Sequence, residues 1–508
     1  QKYQHLITSV TGHVKEFVFE GNSKDWKSID SRDLLISRNI IQQITETKMD
    51  ICKNIQMYSN DIEILFLWLD CDREGESIAF EVIDLVKEIK PNVDIFRAIF
   101  SSLTSNELTY AYENPERPNI HLKEAVNARI EIDLRSGSAF TILQSMLLQK
   151  SFPDQFNNKI ISYGPCQFPT LSFIVNRYLQ NSNFINTNFW FLDLNFNING
   201  NKLSALWNRK NIYDINIVKI LFELSNNNKL EVYSVINKKS KRLRPLPLNT
   251  LDLQKNISKY FGLSSSDTMK IAEGLYNKGL ISYPRTETQS FPQKFDFKEV
   301  INEISLNSEY SSYSKFLLEN NINFSTRVGI KNDKSHPPIY PVKNFDGDRL
   351  SIEFKVYDLI SRFFLASCSN DLIYEEKTII LKLASELFTI SGQKIIENNF
   401  LSILMPFYNF KSKTIPDLLE GMIITDYLLE IKEGKTSPPK LLSESDLLTL
   451  MDKNGIGTDA TMHDHIKTIQ DRNYAINKNG TFKPTQLGIA LIESYRALDI
   501  PLIDPINR

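Results

Sequence analysis

The sequence predicts a multidomain α+β protein, and three observations carry that prediction. Its 508 residues exceed what one hydrophobic core organises, so roughly three or four domains are expected. A nearly all-apolar run, Ile62 to Leu69, precedes an acidic turn and a helical pattern, which is how an α/β unit begins. Trp190, Leu192, Leu194, Phe196 and Ile198 alternate with Phe191, Asp193, Asn195 and Asn197, the pattern of a half-buried strand. They open a β-rich region that runs to about Val235.

The remaining elements follow in order. Ile78, Phe80, Val82 and Val86 give helical spacing from Ser77 to Lys90, and Pro91 ends it. A second helix is expected from Leu122 to Gln149, where no proline intervenes. The basic run Lys238 to Arg244, followed by Pro245 and Pro247, reads as a boundary between domains. A helix over 266–277 has Ser266 or Asp267 as its N-cap and Gly279 as its stop. Ser443 and Asp446 form a capping box that opens Leu447–Lys453, which Gly455 closes. There is no internal repeat of the length that solenoids use.

Composition narrows the class. Apolar residues at 42% and charged residues at 24% are ordinary globular values and exclude wholesale disorder. No apolar run reaches the ~20 residues of a membrane helix, and the N-terminus has no signal-peptide pattern. Cys52, Cys71, Cys166 and Cys368 lie far apart without a C-x-x-C pair, which fits a reducing compartment and argues against a zinc ribbon. The net charge of −2 does not suggest nucleic acid, but only the surface that faces phosphates has to be positive. The run at 238–244 concentrates such charge, as a binding patch or as a solvated loop. Gln1 to His5 enters an apolar segment at once, so the chain is expected to begin inside a domain, and it ends as abruptly at Arg508.

Two clusters carry chemistry. Asp70, Asp72, Glu74 and Glu76 crowd the carboxyl end of the first apolar run. On an extended backbone, residues two apart point the same way, so Asp70, Asp72 and Glu74 are expected to converge. Such carboxylates repel one another unless a cation neutralises them, and an oxygen-only set suits Mg²⁺. The competing reading is a solvated acidic turn. In the second cluster, Pro284 holds Tyr283 extended just past a helix, and Arg285 lies two residues on. A tyrosine hydroxyl is a poor nucleophile without help. The guanidinium is expected to lower its pKa and grip a phosphate, whereas the plainer reading is a tyrosine anchored at a turn.

At these clusters the sequence resembles the type IA DNA topoisomerases, and most closely the eukaryotic topoisomerase III group, alpha-like. Leu69-Asp70-Cys71-Asp72-Arg73-Glu74-Gly75-Glu76 is similar to that family's TOPRIM acidic motif, and Ile281-Ser282-Tyr283-Pro284-Arg285-Thr286-Glu287-Thr288 to its active-site tyrosine motif. Matching strings follow in family order at 8–13, 131–135, 161–170, 336–339, 436–442 and 455–461. The resemblance implies a toroid with an α/β TOPRIM domain at 1–118 and a helical groove domain at 119–183 plus 425–508. It also implies a β-rich strand-gate arch at 184–245 plus 355–424 and a tyrosine domain at 246–354.

By the same resemblance, Tyr283 attacks the scissile phosphate and leaves a 5′-phosphotyrosine. Arg285 stabilises the phosphate charge, an effect worth ~3 kcal/mol. Asp70, Asp72 and Glu74 hold Mg²⁺. Arg129 and Asp133 approach the scissile-side phosphates, Gln167, Thr458 and Thr461 line the single-strand groove, and His336 touches a phosphate near Tyr283. The expected DNA is single-stranded or negatively supercoiled, the expected partners are a RecQ-family helicase and an OB-fold accessory protein, and the expected location is the nucleus. No ATP is expected, since a phosphotyrosine ester conserves the bond's free energy and no P-loop is present. The family's opening Glu-Lys-Pro-Ser-type strand does not precede Gln1, and its C-terminal zinc modules are absent, so activity of this length of chain is in question. The rival readings are a non-catalytic single-strand-binding scaffold and a TOPRIM nuclease or primase, which leaves the tyrosine motif unexplained.

Overall fold

The first apolar run forms the strand Ile64–Leu67, which pairs in parallel with Asp94–Arg97. The helix between them, Arg73–Ile89, buries Ala79, Val82, Ile83, Leu85 and Val86 against Val14, Leu67, Val93 and Ile95. Each large side chain removed from water there contributes about 1.5–3 kcal/mol. The structure, a computed structural model, describes residues 4–21, 29–320, 324–408, 410–458 and 461–505.

That helix begins four residues earlier than the apolar spacing indicates. Asp72 is its N-cap, with an extended backbone and a side chain that accepts a 2.7 Å hydrogen bond from the Gly75 amide. Only a glycine fits at position 75, because a Cβ there would stand 2.0 Å from the Asp70 carbonyl oxygen.

The long helix Ile120–Ser151 covers the second predicted helix and is capped by Asn119. A separate core joins two distant stretches of chain. Phe168, Leu171, Ile174 and Val175 of helix Gln167–Ser182 pack with Leu447, Leu448, Met451, Ile466 and Ile492. The predicted capping box is present at Ser443 and Asp446, and it opens helix Glu444–Lys453.

The β-rich region is one seven-stranded antiparallel sheet. From edge to edge it runs Ile423–Ile424, Leu230–Arg242, Leu372–Leu383, Glu386–Glu397, Asn201–Trp207, Asn188–Ile198 and Tyr427–Lys435. It interrupts the helical core and rejoins it where Thr187 and Thr436 exchange backbone and hydroxyl hydrogen bonds. Two expectations are corrected here. The basic run is neither a loop nor a linker as far as Arg242, since Lys238 and Lys239 sit in a strand opposite Glu376 and Glu375. The region also contains a helix, Ile215–Ser225, capped by Asp214.

The tyrosine lies in a fourth packed region. Helices Thr250–Phe261, Ser265–Asn277 and Ile352–Ser367 share a core that includes Leu253, Ile257, Leu275, Ile281, Ile339 and Ile360. The N-cap of the middle helix is Ser264, not Ser266 or Asp267; Asp267 is the residue whose amide Ser264 caps. Gly279, at φ +70°, turns the chain out of that helix as expected. Among the described residues, no helix is long and apolar enough to cross a membrane.

Candidate active site and nucleic-acid groove

Tyr283 is fixed by its backbone before its side chain does anything. After the reversal at Gly279, Ser282 donates to the Tyr340 carbonyl at 3.0 Å, and the Tyr283 amide donates to the Ser101 carbonyl at 2.9 Å. The second bond ties the tyrosine segment to the α/β unit that carries the acidic cluster. The hydroxyl of Tyr283 then donates to Asp72 Oδ2 at 2.5 Å. Its ring lies against His336, with centroids 4.6 Å apart, and edge-on to Tyr276 at 5.3 Å. Tyr283 is 5% exposed.

Burial, then the Asp72 and Asp70 carboxylates, push the Tyr283 hydroxyl far above the ordinary tyrosine range. Arg285 pulls the other way, as expected of a neighbouring cation, but is outweighed. The phenol is therefore held protonated. Burial and the charge on Asp72 also raise the Asp70 carboxyl.

Asp70 is held by an arginine that sequence reasoning missed. Arg97 is 1% exposed, and its Nη2 and Nη1 donate to the carbonyls of Asp70 and Leu69 at 2.6 and 2.7 Å. Its Nε donates to Glu76 Oε2 at 3.0 Å, and the other Glu76 oxygen accepts from the Asn119 amide at 2.5 Å. A charged residue closing an apolar strand was the available signal.

Glu74 does not join Asp70 and Asp72. The helix starts at Arg73, so the two-residue period of a strand ends there and Glu74 turns away. Its Oε1 accepts from Arg129 Nη2 at 2.5 Å, and its Oε2 lies 3.2 Å from His13 Nε2. Among the described residues, no group of three or more His, Cys, Asp or Glu is arranged to hold a metal ion. Glu74 is thus paired with Arg129 and His13, whereas Asp70 and Asp72 stay near each other and the tyrosine.

Arg285 points its Nε and Nη2 at a single oxygen, Glu273 Oε1, at 2.8 and 2.6 Å. His336 is nearly buried. Its amide donates to Asp333 Oδ1 at 2.9 Å, and its Nε2 is enclosed without a hydrogen-bond partner among the described residues. A buried donor or acceptor left unpaired beside a tyrosine ring suits a ligand that completes it.

Several residues expected along the groove lie near helix Met462–Asp471. Asp133 and Gln167 line one cleft of about 370 Å³ with His465 and Arg472. Gln167 Nε2 lies 3.2 Å from His465 Nδ1, and burial drops the His465 pKa to about 4, so the ring is neutral. Thr458 and Thr461 form the turn that enters this helix, through a 2.9 Å bond from the Thr458 amide to Thr461 Oγ1. Asp459 and Ala460 of that motif lie outside the described residues. Gly457 faces the His465 ring, which places the turn next to Gln167.

Tyr283, the Asp70 and Asp72 carboxylates and Arg285 thus stand close together on an α+β frame built from several packed cores. Residues 2–103 match the Toprim domain family, and residues 117–506 match the family described as DNA topoisomerase. The chain belongs to the type IA DNA topoisomerase family. It is 39% identical over 523 residues to DNA topoisomerase 3-alpha of Arabidopsis thaliana, covering 99% of this chain and 56% of that protein. It is 37% identical over 530 residues to DNA topoisomerase 3 of Dictyostelium discoideum, covering 98% and 64%. With DNA topoisomerase 3-alpha of Homo sapiens the identity is 35% over 510 residues, covering 99% and 50%. The chain thus spans between half and two thirds of these relatives. The fold is that of full-length topoisomerase I from Thermotoga maritima, with a TM-score of 0.74 at 22% identity over 96% of this chain and 78% of that one.

Proposed function

We propose that this protein cuts and rejoins one strand of DNA through Tyr283, relaxing negative supercoils and separating linked recombination or replication intermediates without ATP. The hydrogen bond from the Tyr283 hydroxyl to Asp72 supports this most directly, because it joins the nucleophile to the acidic cluster across two separate cores. In the step we infer, the Tyr283 oxygen bonds to phosphorus and the bond to the 3′-oxygen breaks. The phenol loses one proton and the 3′-oxygen gains one, so a 5′-phosphotyrosine and a 3′-hydroxyl result. Arg285 and His336 meet the phosphate oxygens. Arg129, Asp133, Gln167, Thr458 and Thr461 hold the single strand by phosphate contacts and stacking.

Asp70 and Asp72 fit Mg²⁺, which takes one or two carboxylates and keeps its remaining waters. Burial first, and then the neighbouring Asp72 charge, raise the Asp70 carboxyl, and a divalent cation would favour its ionised form. When bound there, Mg²⁺ would neutralise the cluster and order the DNA for rejoining. The similarity to eukaryotic DNA topoisomerase 3 proteins supports a nuclear setting, and we further propose a RecQ-family helicase and an OB-fold accessory protein as partners. Co-purification with such a helicase tests that part.

The function is tested by relaxation of negatively supercoiled plasmid with Mg²⁺ and no nucleotide. Wild type relaxes it and Tyr283→Phe does not; relaxation retained by the variant ends the proposal.

A further inference from the structure

Arg285 carries five N–H donors in a rigid fork, and the direction of that fork decides whether it reaches a phosphate. Two of its nitrogens are already committed. Glu273, on helix Ser265–Asn277 one turn before that helix ends, accepts from Nε at 2.8 Å and from Nη2 at 2.6 Å through the same oxygen. Nη1 has no hydrogen-bond partner among the described residues, and the side chain remains 29% exposed. Arg285 is also near enough to Tyr283 and Asp70 to act on both electrostatically. The guanidinium thus stands beside the nucleophile with one face pinned and one face open.

We propose that Glu273 is a positioning residue: by holding the Nε and Nη2 edge of Arg285, it turns the Nη1 edge toward the phosphate that Tyr283 attacks. The inference rests on the reading above, in which Tyr283 and Arg285 act on one phosphodiester. An arginine beside two carboxylates has a strong competing attraction, since Asp70 and Asp72 lie on the same side of the site. A direct Arg285 pair with either would take the guanidinium away from the phosphate and neutralise the acids. Glu273 instead occupies two of the guanidinium nitrogens with one fixed acceptor. An ion pair this partly buried is made geometrically specific by its shared acceptor.

The preference for geometry over charge sets the test. Glu273→Gln keeps an oxygen that can accept both N–H groups and removes the charge, whereas Glu273→Ala removes both. The full chain carrying each substitution is assayed for rejoining rate from the trapped covalent complex, for affinity toward a single-stranded oligonucleotide in EDTA, and for thermal midpoint. Glu273→Ala is expected to slow rejoining about 10- to 100-fold while oligonucleotide affinity stays within about 3-fold. Glu273→Gln is expected to recover most of that rate, and Glu273→Ala is expected to add nothing in an Arg285→Ala background. Wild-type rejoining by Glu273→Ala, or losses that add fully with Arg285→Ala, overturn the proposal. A lowered thermal midpoint in Glu273→Ala shifts the decision to Glu273→Gln, where rejoining as slow as that of Arg285→Ala also overturns it. No covalent complex with wild type would instead overturn the reading of the site itself, and this proposal with it.

Discussion

The Tyr283 hydroxyl and the Asp72 carboxylate meet at 2.5 Å although 211 positions of chain separate them. One follows a helix in the tyrosine region, and the other caps a helix in the α/β unit. The bond joins two independently packed cores, and burial together with the neighbouring carboxylates holds the phenol protonated.

The acidic cluster should behave as a pair. Asp70→Asn and Asp72→Asn are expected to raise the Mg²⁺ concentration for half-maximal rejoining by about 10-fold or more. Glu74→Gln should leave that concentration within about 2-fold and act on DNA binding instead, because its carboxylate serves Arg129 and His13. A magnesium titration of the three variants checks this, and a Glu74 shift as large as that of Asp70 contradicts it.

Arg97 should be the costliest charge to remove. It is buried, paired with Glu76, and bonded to the carbonyls of Leu69, Asp70 and Ala98. Breaking a buried pair of this kind costs about 3–5 kcal/mol. Urea denaturation of Arg97→Ala is expected to show that loss, together with lost activity because the Asp70 backbone is no longer held.

His13 should make stability depend on pH in the alkaline direction. Hydrogen bonds that the ring donates to the Glu74 and then the Glu81 carboxylate raise its pKa from 6.5 to about 9. The folded value lies above the unfolded one, so this contribution is complete below about pH 6.5 and disappears as pH rises through about 9. The His13→Ala substitution should therefore lower the thermal midpoint more at about pH 6 than at about pH 9.5. An equal effect at both values would show that the ring is not protonated in the folded protein.

Much of the site was legible because local rules fixed it. The apolar strand, the acidic tip, the Gly279 stop and the extended Tyr-Pro-Arg each follow from the residue types at that place. What escaped depended on where a helix begins or on a distant partner. Asp72 caps the helix, so Glu74 obeys a helical rather than an extended period, and a helix start misplaced by four residues hid that change of direction. Glu273 and Arg97 are single charged residues whose importance comes from neighbours 12 and 28 positions away, and no spacing announces them. The helix Ile215–Ser225 was readable, since Asp214 is a good cap and Val218, Leu221 and Phe222 have helical spacing. Grouping it with the strands around it concealed that signal.

The central claim is that the Tyr283 oxygen becomes bonded to DNA. A single-stranded oligonucleotide labelled at either end, incubated with the protein and stopped with denaturant, measures this directly. The 3′-labelled strand should migrate with the protein, the 5′-labelled fragment should be released, and peptide mapping should place the phosphodiester on Tyr283. An adduct on any other residue, or one that persists in Tyr283→Phe, contradicts the account.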